Sequence, residues 1–168
     1  MKPLLLIIAF LLIKTTGYAQ DNNLPTRDAF KLTLAVNDTN FYAVDIKQSA
    51  YVLPDNTVQM YPGEKIYLEA DFVNHELKAV KSVKSIVNPE KTITISFDQH
   101  KEGKKHQQMV LKVINPFGTK LKYQASIFLM KQYKWVKTDV LPVEAKLAAF
   151  ETWPDVIVTI ALSGWQLE

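Results

Sequence analysis

The sequence predicts an all-β protein, an antiparallel β-sandwich, and three observations carry that prediction. Apolar and polar residues alternate with period two through most of the chain, so each such segment can bury one face. Clusters of Pro, Gly, Asn and Asp interrupt the alternation at intervals of roughly eight to twelve residues, the spacing of short strands joined by turns. There is no cysteine in the 168 residues, so the sheets have to be held by packing rather than by cross-links.

The first segment is of another kind. Met1-Lys2-Pro3 is a short positive start, Leu4 to Ile13 is uninterruptedly apolar, and Gly17-Tyr18-Ala19 places small residues before a cleavage point after Ala19. This is the layout of a secretory signal peptide. As a helix the apolar run spans roughly 15 Å, about half of a hydrocarbon core, and Lys14 ends it, which disfavours a permanent membrane span. Cleavage takes away Lys2 and Lys14 and no acid, so 20 Lys and Arg become 18 against 17 Asp and Glu, and the net charge falls from +3 to +1. The remaining surface has no electrostatic bias towards nucleic acid, and no cysteine stands at the cut to carry a lipid. The expected product is exported, periplasmic or extracellular, with no stable membrane span after cleavage.

Residues 20–29 read as an irregular polar lead-in and residues 30–168 as one sandwich domain. Phe30, Leu32, Leu34 and Val36 share a face before the turn Asn37-Asp38-Thr39-Asn40. Tyr42, Val44 and Ile46, then Tyr51 to Leu53, then Val58 to Met60 form shorter pieces around Pro54-Asp55-Asn56. Tyr61-Pro62-Gly63-Glu64 introduces a strand with Ile66, Leu68, Ala70 and Phe72 on its inner face. His75 to Asn88 carries both helical and alternating spacing; its β-branched residues and the lack of a capping box favour a strand or an irregular crossover. Ile93, Ile95 and Phe97 alternate with Thr92, Thr94 and Ser96, and Asp98 to Lys105 reads as a charged solvent loop.

Asn115-Pro116-Phe117-Gly118 has the residue order of a type I turn, and it predicts a hairpin between Gln107 to Ile114 and Thr119 to Met130. Met109, Leu111 and Val113 would face inward on one arm and Leu121, Tyr123, Ala125 and Ile127 on the other. Tyr133 to Thr138 and Leu147 to Trp153 read as further strands, with a possible helical turn at Val143 to Ala149. Val156, Val158, Ile160 and Leu162 share a face backed by Ile157 and Ala161, so the last strand is expected to be covered on both sides.

Signals for chemistry are sparse. His100 and His106 stand six apart in the charged stretch and His75 lies far upstream, which is not the spacing of a metal site. No Gly-x-Ser-x-Gly elbow, phosphate loop or dinucleotide fingerprint occurs. No cofactor, metal or catalytic set is therefore predicted. Lys78, Lys81 and Lys84, like Lys101, Lys104 and Lys105, read as solvated faces that guard strands against edge pairing. The candidate ligand-binding residues are the aromatics of the last quarter, Tyr133, Trp135, Trp153 and Trp165, because Tyr and Trp on a rigid sheet can stack on sugar rings or anchor a partner. Packing between or at the ends of the sheets is the competing role for the same rings.

From Lys65 to Glu168, the strand introduced by Pro-Gly, the charged segment, the Asn-Pro-Phe-Gly turn and the closing Trp-Pro strand resemble exported bacterial immunoglobulin-like sandwich domains. The likeness is one of layout. The inter-sheet cysteine pair of antibody domains is missing, and the resemblance implies no site residue. The expected function is a non-enzymatic exported binding or interaction module whose partner is an envelope protein or a glycan and not nucleic acid. The alternative is a small secreted hydrolase with a site assembled from scattered acids and histidines.

Overall fold

The structure, a computed structural model, describes residues 24–168. The expected signal peptide, Met1 to Ala19, lies outside the described residues. Among the described residues every regular element is a strand: β1 (Thr26–Arg27), β2 (Phe30–Ala35), β3 (Phe41–Ile46), β4 (Ser49–Ala50), β5 (Val58–Met60), β6 (Glu64–Val73), β7 (Glu76–Val83), β8 (Thr92–Glu102), β9 (Lys105–Ile114), β10 (Leu121–Leu129), β11 (Lys134–Thr138), β12 (Ala148–Trp153) and β13 (Ile157–Leu167).

Nine of these strands form one antiparallel sheet in the order β11-β10-β13-β7-β6-β8-β9-β12, with β5 also paired to β13. The β13 to β7 junction is a single register pair, Gln166 opposite Glu76. At that seam the sheet curls over, so β11, β10, β13 and β5 face β7, β6, β8, β9 and β12 in a sandwich-like arrangement. The inward residues of both layers form one core, including Leu68, Ile95, Phe97, Met109, Leu111, Leu121, Ile160 and Leu162, all fully buried. On the opposite side, Trp153 Nε1 of β12 donates to Thr138 Oγ1 of β11 at 3.0 Å and ties the two free edges together.

A third layer was not foreseen. β2 and β3 pair only with each other and lay Leu32 and Leu34 against Val156 and Val158, with Phe128, Met130, Tyr42 and Tyr61 around them. This hairpin covers the outer face of β10 and β13. The expectation that the last strand is covered on both sides holds, but the assignment of faces changes. Phe128 stands opposite Thr159 and Leu129 opposite Ile157, so Val158 is an inserted residue. Such a bulge reverses side-chain parity, sending Ile157, Ile160 and Leu162 to the main core and Val156 and Val158 to the hairpin.

Four local expectations are corrected. Asn115-Pro116-Phe117-Gly118 does not close a hairpin, because β9 pairs with β8 and β12 whereas β10 pairs with β11 and β13. The turn is an arch between layers, and the two apolar faces it joins meet across the core. Asp98 to Lys105 is not a loop: β8 runs to Glu102 and turns into β9 through Gly103-Lys104. Gly103 has φ +59°, the left-handed value that a glycine-first two-residue hairpin turn requires. Val143 to Ala149 contains no helical turn; Lys146 takes a positive φ in a tight turn closed by Leu147 N–H to Glu144 C=O. The lead-in is ordered at its end, where β1 pairs with β4. Within His75 to Asn88, Glu76–Val83 is the strand β7, reached from β6 by Asn74-His75, both at positive φ, and the residues from 84 to 88 are irregular.

Candidate functional site

The four candidate aromatics part company in three dimensions. Trp165 is buried in the main core, 4% exposed, stacked on Tyr123 with ring centroids 5.3 Å apart, so it offers no face to a ligand. Trp153 is half-buried and its indole N–H is engaged by Thr138. Tyr133 and Trp135 remain in solvent, 70% and 47% exposed, and they stand two residues apart at the free edge formed by β11.

Local sequence explains this placement. Leu129 pairs with Lys134, so β10 and β11 are joined by the four-residue loop Met130-Lys131-Gln132-Tyr133, with Tyr133 at φ +48°. Strand alternation then sends Val136 into the main core and Trp135 to the opposite, outer face. There Trp135 lies opposite Phe128 and makes an edge-to-face contact with it, centroids 5.6 Å apart. Phe128 is itself packed among the residues under the β2–β3 hairpin, so the indole rests on a fixed ring. Tyr42 of β3 borders the same spot. Its phenol is pushed above its ordinary value, first by burial and then by the charge of Tyr133.

Lysines frame this ledge. Lys131, Lys134 and Lys137 are all exposed. The ion pairs among the described residues engage Arg27, Lys78, Lys81, Lys91, Lys120 and Lys122, and none of them involves the three lysines of this edge. The stretch Lys131-Gln132-Tyr133-Lys134-Trp135-Val136-Lys137 thus carries two free aromatics and three unpaired cations. Sequence reasoning found the aromatics but passed over the interleaved lysines, which are legible there; Tyr42 and Phe128 come to the ledge only through tertiary packing.

Elsewhere polar groups are committed to structure. Arg27 is buried, 2% exposed; it binds Glu64 through Nε (2.7 Å) and Nη2 (2.9 Å), reaches Ser49 Oγ and the Ala50 and Gln59 carbonyls, and lies between the rings of Tyr51 and Tyr61. An open cleft of about 500 Å³ beside it is lined by Asp28, Tyr51, Lys65, Tyr67, Ser82 and Lys84, among others, and the Ser82 hydroxyl donates to the Pro25 carbonyl. His106 is not a solvated loop residue: its Nδ1 meets Gln99 Nε2 at 2.9 Å and its Nε2 meets the Pro154 carbonyl at 3.0 Å. Those partners select the tautomer with the proton on Nε2. Asp55 shares a cleft with Glu76, but the Thr57 backbone N–H and hydroxyl hold its carboxyl below the usual range, opposite to what a general acid needs. Among the described residues no group of three or more His, Asp or Glu is placed to hold a metal ion.

Compared with known proteins, this chain matches no family model, no curated protein and no solved structure.

Proposed function

We propose that this chain is an exported, non-catalytic binding module of immunoglobulin-like build, whose ligand, an envelope protein or a glycan, docks on the ledge of Tyr133 and Trp135. The single observation that carries the reading is two large aromatic rings left in solvent at one sheet edge, Trp135 on β11 and Tyr133 in the loop before it, while the other two tryptophans are packed. A half-exposed indole gripped on one side by Phe128 loses little freedom on binding, which favours its use as an anchor. Export rests on the leader-like residues Met1 to Ala19.

The test has two arms. Expression of the full chain in a secreting host should yield a product whose first residue is Gln20, read by N-terminal sequencing. On an immobilised glycan panel, the purified product should be retained by a subset of glycans, and Trp135→Ala should weaken that retention about tenfold, the loss of roughly 1.4 kcal/mol. Release of new reducing ends from a bound glycan would replace this reading with the hydrolase. Unchanged retention by Trp135→Ala would remove the ledge from it.

A further inference from the structure

We infer that the β11 edge takes an acidic polysaccharide, a polymer bearing uronate carboxylates, with Trp135 and Tyr133 against the sugar ring faces and Lys131, Lys134 and Lys137 meeting the carboxylates. This rests on the binding-module reading above and names its ligand class.

Lysines on an outer strand deter edge-to-edge pairing, and by themselves they need no ligand. An exposed aromatic on that strand, Trp135, and another in the loop that enters it, Tyr133, work against that purpose, because they add the apolar surface that association exploits. Tyr133 is 70% and Trp135 47% exposed, yet they sit between lysines that no carboxylate neutralises among the ion pairs of the described residues.

A neutral glycan would use the rings and leave the cations idle. A simple anion would use the cations and leave the rings idle. A polymer that alternates ring faces with carboxylates uses both. Geometry agrees for one pair: Trp135 and Lys137 are both exposed on β11 and lie about 6.8 Å apart along it; Lys134, the first residue of the strand, falls by alternation on the face of Val136 and is exposed at the strand end, and Lys131 is exposed in the preceding loop. Charge complementarity is local here. The lysine and aromatic strip is seven residues long in a chain that carries 20 Lys and Arg against 17 Asp and Glu, so the broad positive field that nucleic-acid binding draws on is missing.

The experiment uses protein purified from a secreting host and follows tryptophan fluorescence on titration with polygalacturonate, with the same polymer after reduction of its carboxyls to alcohols, and with a single-stranded oligothymidylate. The expected result is binding of polygalacturonate at least tenfold tighter than of either other polymer. It should weaken at least tenfold as salt rises from about 0.05 M to about 0.5 M. The triple change Lys131→Gln, Lys134→Gln, Lys137→Gln should weaken it at least tenfold, whereas Lys101→Gln, Lys104→Gln, Lys105→Gln at the β8–β9 turn should leave it within twofold. Thermal midpoints of both triple variants, close to that of the parent, establish that the surfaces and not the fold have been altered.

Equal binding of the carboxyl-reduced polymer, with no effect of the edge lysines, would overturn the acidic ligand and leave the aromatic ledge standing. No binding of polygalacturonate at all, or preference for the oligothymidylate, would overturn the inference. Binding that survives Trp135→Ala unchanged would overturn the ledge reading itself.

Discussion

Tyr123 and Trp165 stack in the core, and each leaves a buried polar atom, Oη and Nε1, without a hydrogen-bond partner. A hydroxyl buried in this way contributes its desolvation cost and nothing in return. Tyr123→Phe is therefore expected to be neutral or to stabilise by about 1 kcal/mol at pH 7, read from the denaturant midpoint. The sign of the pH dependence follows from the phenol. Burial first, and the nearby charge of Glu151 second, push its pKa above the ordinary value of 10.0. Below that value both folded and unfolded chains hold the proton; above it the unfolded chain releases its proton first, so this residue's share of stability is lost as pH rises past 10. The advantage of Tyr123→Phe over the parent should accordingly widen above pH 10, and a gap that stays constant would contradict the placement of the ring. Arg27 is the opposite case, a buried cation with its carboxylate, hydroxyl and carbonyl partners all in place, so its position fixes the end of the lead-in against β5 and β6.

Among the connections, the arch from β9 to β10 depends on one side chain. Asn115 is buried, its Nδ2 donates to the carbonyls of Thr119, Val143 and Glu144, and its Oδ1 accepts from Phe117 N–H. It thereby satisfies the turn and clamps the Val143 segment, which also bridges to Leu121. Asn115→Ala strands these groups and is expected to cost about 3 kcal/mol, measured by urea unfolding. Asn115→Asp should cost at least as much, because it sets an anionic oxygen against three carbonyls. An Asp variant as stable as the parent would sink this account. The order Asn-Pro-Phe-Gly marks a chain reversal in the sequence, but it does not specify whether the flanking strands meet edge to edge or face to face, since both leave the same inward residues buried. At the β8–β9 turn the reverse happened. Gly103-Lys104 carries the hairpin signal, and the charged residues around it masked two ordinary strands whose exposed ends simply project into solvent.

The described residues divide into a two-layer core and a hairpin laid upon it. β2 and β3 share no backbone ladder with the main sheet; they are held by Leu32 and Leu34 against Val156 and Val158 and by Gln99, whose amide pairs with both the N–H and the C=O of Ala35. Regions with few such ties open first. Hydrogen exchange of β2 and β3 amides should therefore run ahead of that of β6, β8 and β9, and Leu34→Ala should accelerate it further while leaving the main core unchanged, at a cost of about 3 kcal/mol to hairpin docking. Equal acceleration throughout would mean that the hairpin and core unfold as one unit. That the chain is built from strands, and largely which side chains turn inward, is legible in the residue order, because burying one face of a strand requires period two and that period is written locally. Tertiary structure alone decided which strands pair, where the bulge at Val158 shifts the parity of the last strand, and which aromatics remain in solvent. Each of these depends on partners far away in the chain: Trp135 and Trp165 are chemically the same residue, and only the layers packed around them leave one exposed and bury the other.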